Sequence, residues 1–280
     1  MKNTTTILKI LKDILLKNFL NIVFFLLALF FVVVLRKDRV GGVEMVFLDV
    51  GQGDAILVQQ DNFQILIDGG PDDTLLYELA KYLPWYDKRI EVVILTHPHD
   101  DHLAGLMLLL KKYEVGKVLY APVNSRNAGY EYLQSEYPNL LEEVVAGDSF
   151  RYKDIYFAVL YPFEGESLQG GNLNNWSVIT FFYINGYKIL LMGDGEVAPE
   201  EEPLGYDFLR NIDILKAGHH CSKSSSSEEF LSFTEPEVAI CMCGEKNKFG
   251  HPHSETLQKL KSRNVQYFVT YEEGSMRIRF

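Results

Sequence analysis

The chain has 280 residues, 47% of them hydrophobic, with 27 Lys and Arg against 38 Asp and Glu. That is enough apolar material for a buried core. The formal net charge of −11 has the wrong sign for a protein that coats nucleic acid indiscriminately.

The first 17 residues form a basic segment carrying Lys2, Lys9, Lys12 and Lys17, and Asn18 to Leu35 is almost wholly apolar. The run is long enough to span hydrocarbon. No small-x-small cleavage site follows Leu35, only Arg36-Lys37-Asp38-Arg39, so the sequence predicts an uncleaved transmembrane helix over 18–35 and a linker over 36–42. Four basic residues precede the span and three follow it. This excess predicts a cytoplasmic N-terminus, a single pass through the cell membrane and an extracytoplasmic domain. Residues 1–39 hold seven basic and two acidic residues, which leaves the remainder 20 against 36 and a charge near −16.

From residue 43 onward, short β-rich runs are expected at 45–50, 54–60, 63–68, 92–96, 117–121, 155–161, 177–184, 187–192, 212–216, 237–243, 265–270 and 276–280. Helical stretches are expected near 72–84, 103–113, 227–234 and 254–263. Asp61-Asn62 and Asn185-Gly186 read as hairpin turns, the second strongly, and the mixture of hairpins with strand–helix alternation predicts mixed sheets sandwiched by helices. Ser222 to Ser227 reads as a loop ending in a helix cap.

The densest chemistry lies in Thr96-His97-Pro98-His99-Asp100-Asp101-His102, between the apolar run Val92–Leu95 and the apolar run that opens at Leu103. Three imidazoles and two carboxylates at the exit of a strand and the entrance of a helix stand where an α/β sheet places its active site. Neutral imidazole and carboxylate suit Zn²⁺, Mn²⁺ or Fe²⁺, and the number of such groups points to two neighbouring ions. Cys221, Cys241 and Cys243 are odd in number and indicate no disulfide framework; Cys241 and Cys243 flank Met242 on an expected strand and read as buried thiols.

His97-x-His99-x-Asp101-His102 matches the metal motif of the metallo-β-lactamase superfamily, and Phe47-Leu48-Asp49-Val50-Gly51-Gln52-Gly53-Asp54-Ala55 resembles the opening of the hydrolase domain of the competence protein ComEC. Later stations agree in order: Ile65–Gly70, Asn174-Asn175-Trp176-Ser177, Leu190–Asp194, Leu215–His220 and Gly250–His253. The resemblance covers residues 43–280 and implies one αβ/βα four-layer sandwich, a metallo-β-lactamase-like hydrolase domain. These 280 residues carry neither the multi-span channel region nor the oligonucleotide-binding module of a full-length uptake protein, so a pore is not expected of them.

The resemblance also implies the site. One divalent ion, Zn or Mn, would be held by His97 and His99 and a second by Asp101, His102 and His220, with Asp194 bridging them. His220 is preferred to its neighbour His219 as the ligand. Asn174 stands where the superfamily has a His, which opens the first position. His219, Asn174, Lys216 and His251 are expected at the substrate, and Asp101 in the catalytic machinery. Asp68 is expected to be structural, and Asp49 and Asp54 to support the turn. Cys221 replaces a Gly that commonly follows the paired histidines, at a place where positive φ would favour Gly. The expected function is a membrane-anchored phosphodiesterase or nuclease acting through a metal-bridging hydroxide. Its substrate would be a phosphoester, either a single-stranded DNA end or a small phosphodiester. An amide or lactone hydrolase and a non-catalytic membrane-tethered protein binding a metal or anion are the alternatives.

Overall fold

Strands rich in Val, Ile, Leu and Phe dominate the chain from residue 43, and in the computed structural model they assemble into two seven-stranded sheets. The structure describes residues 17–30, 41–165 and 172–280, and the chain divides into residues 1–42 and residues 43–280. In the first unit, residues 17–30 form helix α1. Among the described residues no helix is long and apolar enough to cross a membrane. The basic segment up to residue 16, the end of the expected span at 31–35 and the linker residues 36–40 lie outside the described residues.

In spatial order the first sheet contains β14 (Met276–Arg279), β1 (Glu44–Phe47), β2 (Ile56–Gln60), β3 (Phe63–Ile67), β4 (Arg89–Leu95), β5 (Glu114–Tyr120) and β6 (Leu141–Glu143). The second contains β13 (Gln266–Val269), β12 (Val238–Cys241), β11 (Ile214–Lys216), β10 (Tyr187–Leu191), β9 (Ile179–Ile184), β8 (Ile155–Tyr161) and β7 (Ser149–Tyr152). Hairpins build one half of each sheet; β3 to β6 and β10 to β13 are parallel. Residues 92–95 of β4 are buried throughout, as a parallel strand covered on both faces must be. Phe63 of the first sheet stacks on Phe150 of the second at 5.6 Å, and Phe157 and Phe182 continue the same core.

Helices α2 (Thr74–Tyr82), α3 (Asp100–Leu109) and α4 (Ala128–Glu136) belong with the first sheet, where Leu106, Leu109 and Leu133 meet Val93 and Val118. After the short α5 (Val197–Glu201), α6 (Glu228–Thr234) and α7 (Ser254–Ser262) bring Phe230, Leu231 and Leu260 against Leu190, Leu215 and Ala239 of the second sheet; the four-residue α8 (Thr270–Glu273) precedes β14. Ser227 caps α6, accepting a bond from Phe230 N at 3.1 Å, as its serine-rich stretch predicts. The result is the expected αβ/βα sandwich. Strands β6 and β7 and helices α4, α5 and α8 were not anticipated.

Parallel strands align their C-terminal ends: Asp68 after β3, His97 after β4, Asp194 after β10 and His220 after β11 reach one edge, where the chain leaving β12 offers Met242 O. Gly105 lets α3 approach closely there: a Cβ on it would lie 1.9 Å from Gly69 O. The start of α3, with Asp101 and His102, is thereby pressed against the turn that carries Asp68.

The cysteines depart from the sequence reading. Cys221 and Cys241 form a disulfide, with Cα atoms 5.3 Å apart, and among the described residues Cys243 is the free, buried thiol. Twenty positions separate the pair, and only the pairing of β11 with β12 brings them together.

Candidate metal centre

Each imidazole at this edge is oriented by a partner on one nitrogen. Thr96 Oγ1 donates to Asp68 Oδ2 at 2.7 Å and lies 3.2 Å from His97 Nδ1, placed to accept from it, which turns His97 Nε2 to the other side of the ring. Asp68 also accepts from Thr96 N at 2.8 Å and from His102 Nδ1 at 2.8 Å. His220 Nδ1 donates to Met242 O at 2.8 Å. These bonds turn the Nε2 atoms of His97, His102 and His220 inward, the arrangement that metal-ligating histidines require.

Asp194 lies where those nitrogens converge, 2% exposed, its backbone N–H held by Ser177 Oγ at 3.1 Å. Its two oxygens face different neighbours. Oδ1 is 3.3 Å from His102 Nε2 and 3.4 Å from His220 Nε2, and the latter is 3.4 Å from Asp101 Oδ2. Oδ2 is 3.8 Å from His97 Nε2 and 3.9 Å from His219 Nε2. His97 Nε2 in turn is 3.0 Å from His99 Nδ1.

The residues fit a pair of cations. His102 Nε2, His220 Nε2 and Asp194 Oδ1 are buried with no hydrogen-bond partner, a costly arrangement for three polar atoms unless something shared binds them. Ligand atoms of Asp101, His102, Asp194 and His220 all fall within 4.8 Å of one another. A second grouping, Asp54, Asp68 and His102, is already spoken for, since Asp68 holds His102 and Asp54 is ion-paired with Lys216.

Electrostatics agree with a cation-binding cluster. Burial opposes charge on His102 and on His220, but Asp194 together with Asp68 or Asp54 outweighs it and holds both pKa values well above 6.5. Burial likewise opposes the Asp194 anion, and His220 and His102 nevertheless hold its pKa well below 3.8. His97 is driven the other way, well below 6.5, by burial and by the neighbouring His102. The site therefore carries anionic carboxylates whose counter-charge, without a metal, comes from two protonated imidazoles.

A cleft of about 400 Å³ opens over the cluster, lined among others by His99, Asp101, Asn174, Asp194, His219, His220 and His251. Burial, and then the nearby His220 and His219, push the His251 pKa down to about 3, so it faces the cleft as a neutral ring. Asn174 Nδ2 lies 3.3 Å from His219 Nε2 and donates to Glu196 Oε1 at 3.3 Å. Lys216 is the misplaced residue: expected at the substrate, it is fully buried behind the metal-facing groups, paired with Asp54 and donating to Gly193 O at 2.7 Å. It supports the floor of the site and does not line the cleft.

Several lining residues escaped the sequence reading. Gln52 Nε2 lies 3.4 Å from His251 Nδ1, and Asn127 Nδ2 donates to Asp100 Oδ1 at 2.7 Å; behind the lining, Glu196 approaches His219 Nδ1 at 3.0 Å. Phe249 stands half exposed at the rim, its ring 5.6 Å from that of His251. Only Gln52, a polar side chain between two glycines, stands out locally.

The model of the metallo-beta-lactamase superfamily matches residues 48–245. The chain is 32% identical over 264 residues to ComE operon protein 3 of Bacillus subtilis, covering 85% of this chain and 33% of that protein. It is 29% identical over 237 residues to Recombination protein 2 of Haemophilus influenzae, covering 83% and 28% respectively. The chain thus spans about a third of the length of these relatives. Among solved structures, the metallo-beta-lactamase fold protein YhfI of Bacillus subtilis matches with a TM-score of 0.57 at 12% identity, over 86% of this chain and all of that one. With its matched motif residues, two sheets and buried His/Asp cluster, the chain belongs to the metallo-beta-lactamase superfamily, and its relatives are competence proteins of the ComEC type.

Proposed function

We propose that this chain is a metal-dependent phosphodiesterase with two ions flanking Asp194. The observation that carries the reading is the split of the Asp194 carboxylate between His102 and His220 on one oxygen and His97 and His219 on the other. His97 and His99 would hold the first ion and Asp101, His102 and His220 the second, with Asp194 between them. Asn174, at a place where the superfamily has a His, supplies no imidazole to the first position. Two divalent cations, Zn or Mn, supply Lewis acidity and an activated water when bound.

The protein's own groups then select and orient the substrate. His219, Asn174 and neutral His251 present hydrogen-bonding atoms to the cleft, suited to the non-reacting oxygens of a phosphoester. The exposed ring of Phe249, with Lys248 Nζ 5.1 Å from its centroid, offers a stacking face and a positive charge to the group beyond the phosphate. That pairing favours a single-strand end or a small nucleotide-like diester over a duplex, whose bases are already stacked. The strongly acidic domain surface favours the same choice, because it repels extended polyanions.

Turnover of bis(p-nitrophenyl) phosphate is expected on addition of Mn²⁺ or Zn²⁺ and to vanish in Asp101→Ala. Metal binding without turnover of this ester, a dinucleotide or DNA would leave a binding protein, and turnover of lactones alone would replace the substrate class.

Membrane attachment through residues 18–35 and an outward-facing domain belong to the same proposal. The apolar run and its flanking charges support it. The Cys221–Cys241 disulfide adds support, because such bonds persist in oxidising compartments. Protease added to intact cells is expected to remove residues 43–280; resistance relieved only by lysis would reverse the orientation.

A further inference from the structure

His220 occupies a turn that its backbone would not hold unaided. His219, His220 and Cys221 have φ values of 45°, 54° and 61°, three consecutive non-glycine residues in the left-handed region, where Cβ crowds the following carbonyl. Two ties from this turn end on neighbouring residues at the C-terminal end of β12. One is the hydrogen bond from His220 Nδ1 to Met242 O; the other is the disulfide from Cys221 to Cys241, the last residue of β12. A third contact, His253 N donating to Cys221 O at 3.0 Å, holds the turn from the loop before α7.

We infer that the Cys221–Cys241 disulfide is a positioning device for His220, fastening the left-handed turn to the end of β12 so that Nε2 stays aimed at Asp101 and Asp194. The inference rests on the reading of His220 as a ligand of the second metal position. The covalent tie joins the residue after His220 to the residue before Met242, so it keeps the Nδ1 bond in register with the carbonyl that receives it. Without it the ring keeps the bond to Met242 O and a contact of 3.2 Å between Nδ1 and Asp54 Oδ1, on a turn whose preferred backbone conformations lie elsewhere. The first ion, held by His97 and His99 at the end of β4, has no such dependence.

The metal affinity of the second position is therefore sensitive to redox state. A dithiol reductant would supply two electrons and two protons to the S–S bond, leaving two thiols and its own disulfide. Cys243, buried in the same apolar cluster as Cys221 and Cys241, is not part of the device.

The test is competitive Zn²⁺ titration of the metal-stripped full chain in detergent, comparing wild type, Cys221→Ala/Cys241→Ala, His220→Ala and Cys243→Ala. The double variant is expected to bind one ion about 10–100-fold more weakly, the loss typical when a ligand's support is removed, and the other unchanged. His220→Ala should weaken the same ion, and Cys243→Ala neither. Wild type reduced with dithiothreitol below its melting temperature should reproduce the double variant, which covers the case in which that variant does not fold. Thiol titration of the oxidised, denatured chain should find one thiol, and three would overturn the inference. Two ions bound as tightly as in wild type by the double variant or the reduced chain would also overturn it, provided His220→Ala loses one. Unchanged binding in His220→Ala would instead overturn the ligand reading beneath it.

Discussion

Asp194→Ala is expected to lower turnover of a phosphodiester by about three orders of magnitude, the scale on which a principal electrostatic contribution is lost, and to weaken both metal ions together. The shared loss is the informative part. Oδ1 of Asp194 serves the side of His102 and His220, and Oδ2 the side of His97 and His219, so one truncation removes a ligand atom from each position. The variant should remain folded, because the backbone bond to Ser177 survives, Lys216 keeps Asp54, and His102 and His220, whose protonation Asp194 favours, can revert to neutral rings. Elemental analysis settles the prediction: one ion retained at wild-type affinity in Asp194→Ala would mean that the carboxylate does not bridge.

The largest expected effect on stability lies one layer below. Asp54→Ala leaves the Lys216 ammonium fully buried with Gly193 O as its hydrogen-bond acceptor and Asp194 3.8 Å away. Breaking a buried pair by removing one partner costs about 3–5 kcal/mol, most of it from the unpaired charge left behind. Asp54→Ala/Lys216→Met removes both charges and should recover most of that loss. Urea denaturation of the two variants is the comparison; equal stability of Asp54→Ala and wild type would show the pair to be energetically idle. Burial raises the Asp54 pKa, but Lys216 and His220 bring it below 3.8. A carboxylate depressed in the folded state contributes its full stability above 3.8 and loses it as pH falls toward the lower folded value, so the difference between the variants should persist at neutral pH and shrink only in strong acid.

The sequence is most legible where cause and consequence are neighbours. Val92–Leu95 followed by His97-x-His99-x-Asp101-His102 reads as strand, loop and helix because the apolar run, the ligands and the next apolar run are contiguous, and the structure places β4, the loop and α3 there. Hairpins β2–β3 and β9–β10 follow from their turn residues in the same way. Strands β6 and β7 were missed because Leu-Glu-Glu and Ser-Phe-Arg-Tyr bury no complete face, and α4 because only Tyr130 and Leu133 of it are buried.

Long-range pairs were the other blind spot. Lys216 follows a buried strand and precedes two site histidines, which suggests a substrate contact; its true partner, Asp54, is 162 positions earlier on the turn before β2. Cys221 and Cys241 look like spare thiols until β11 and β12 align. The conformational demand at Cys221, by contrast, was visible in advance: a residue standing where Gly is common does adopt positive φ.

Crystals of the chain soaked in Zn²⁺ and measured at the zinc absorption edge test the central claim most directly. Two anomalous peaks are predicted on either side of Asp194, one against His97 and His99 and the other against Asp101, His102 and His220. A single peak, or peaks that leave Asp194 without contact, would contradict the account.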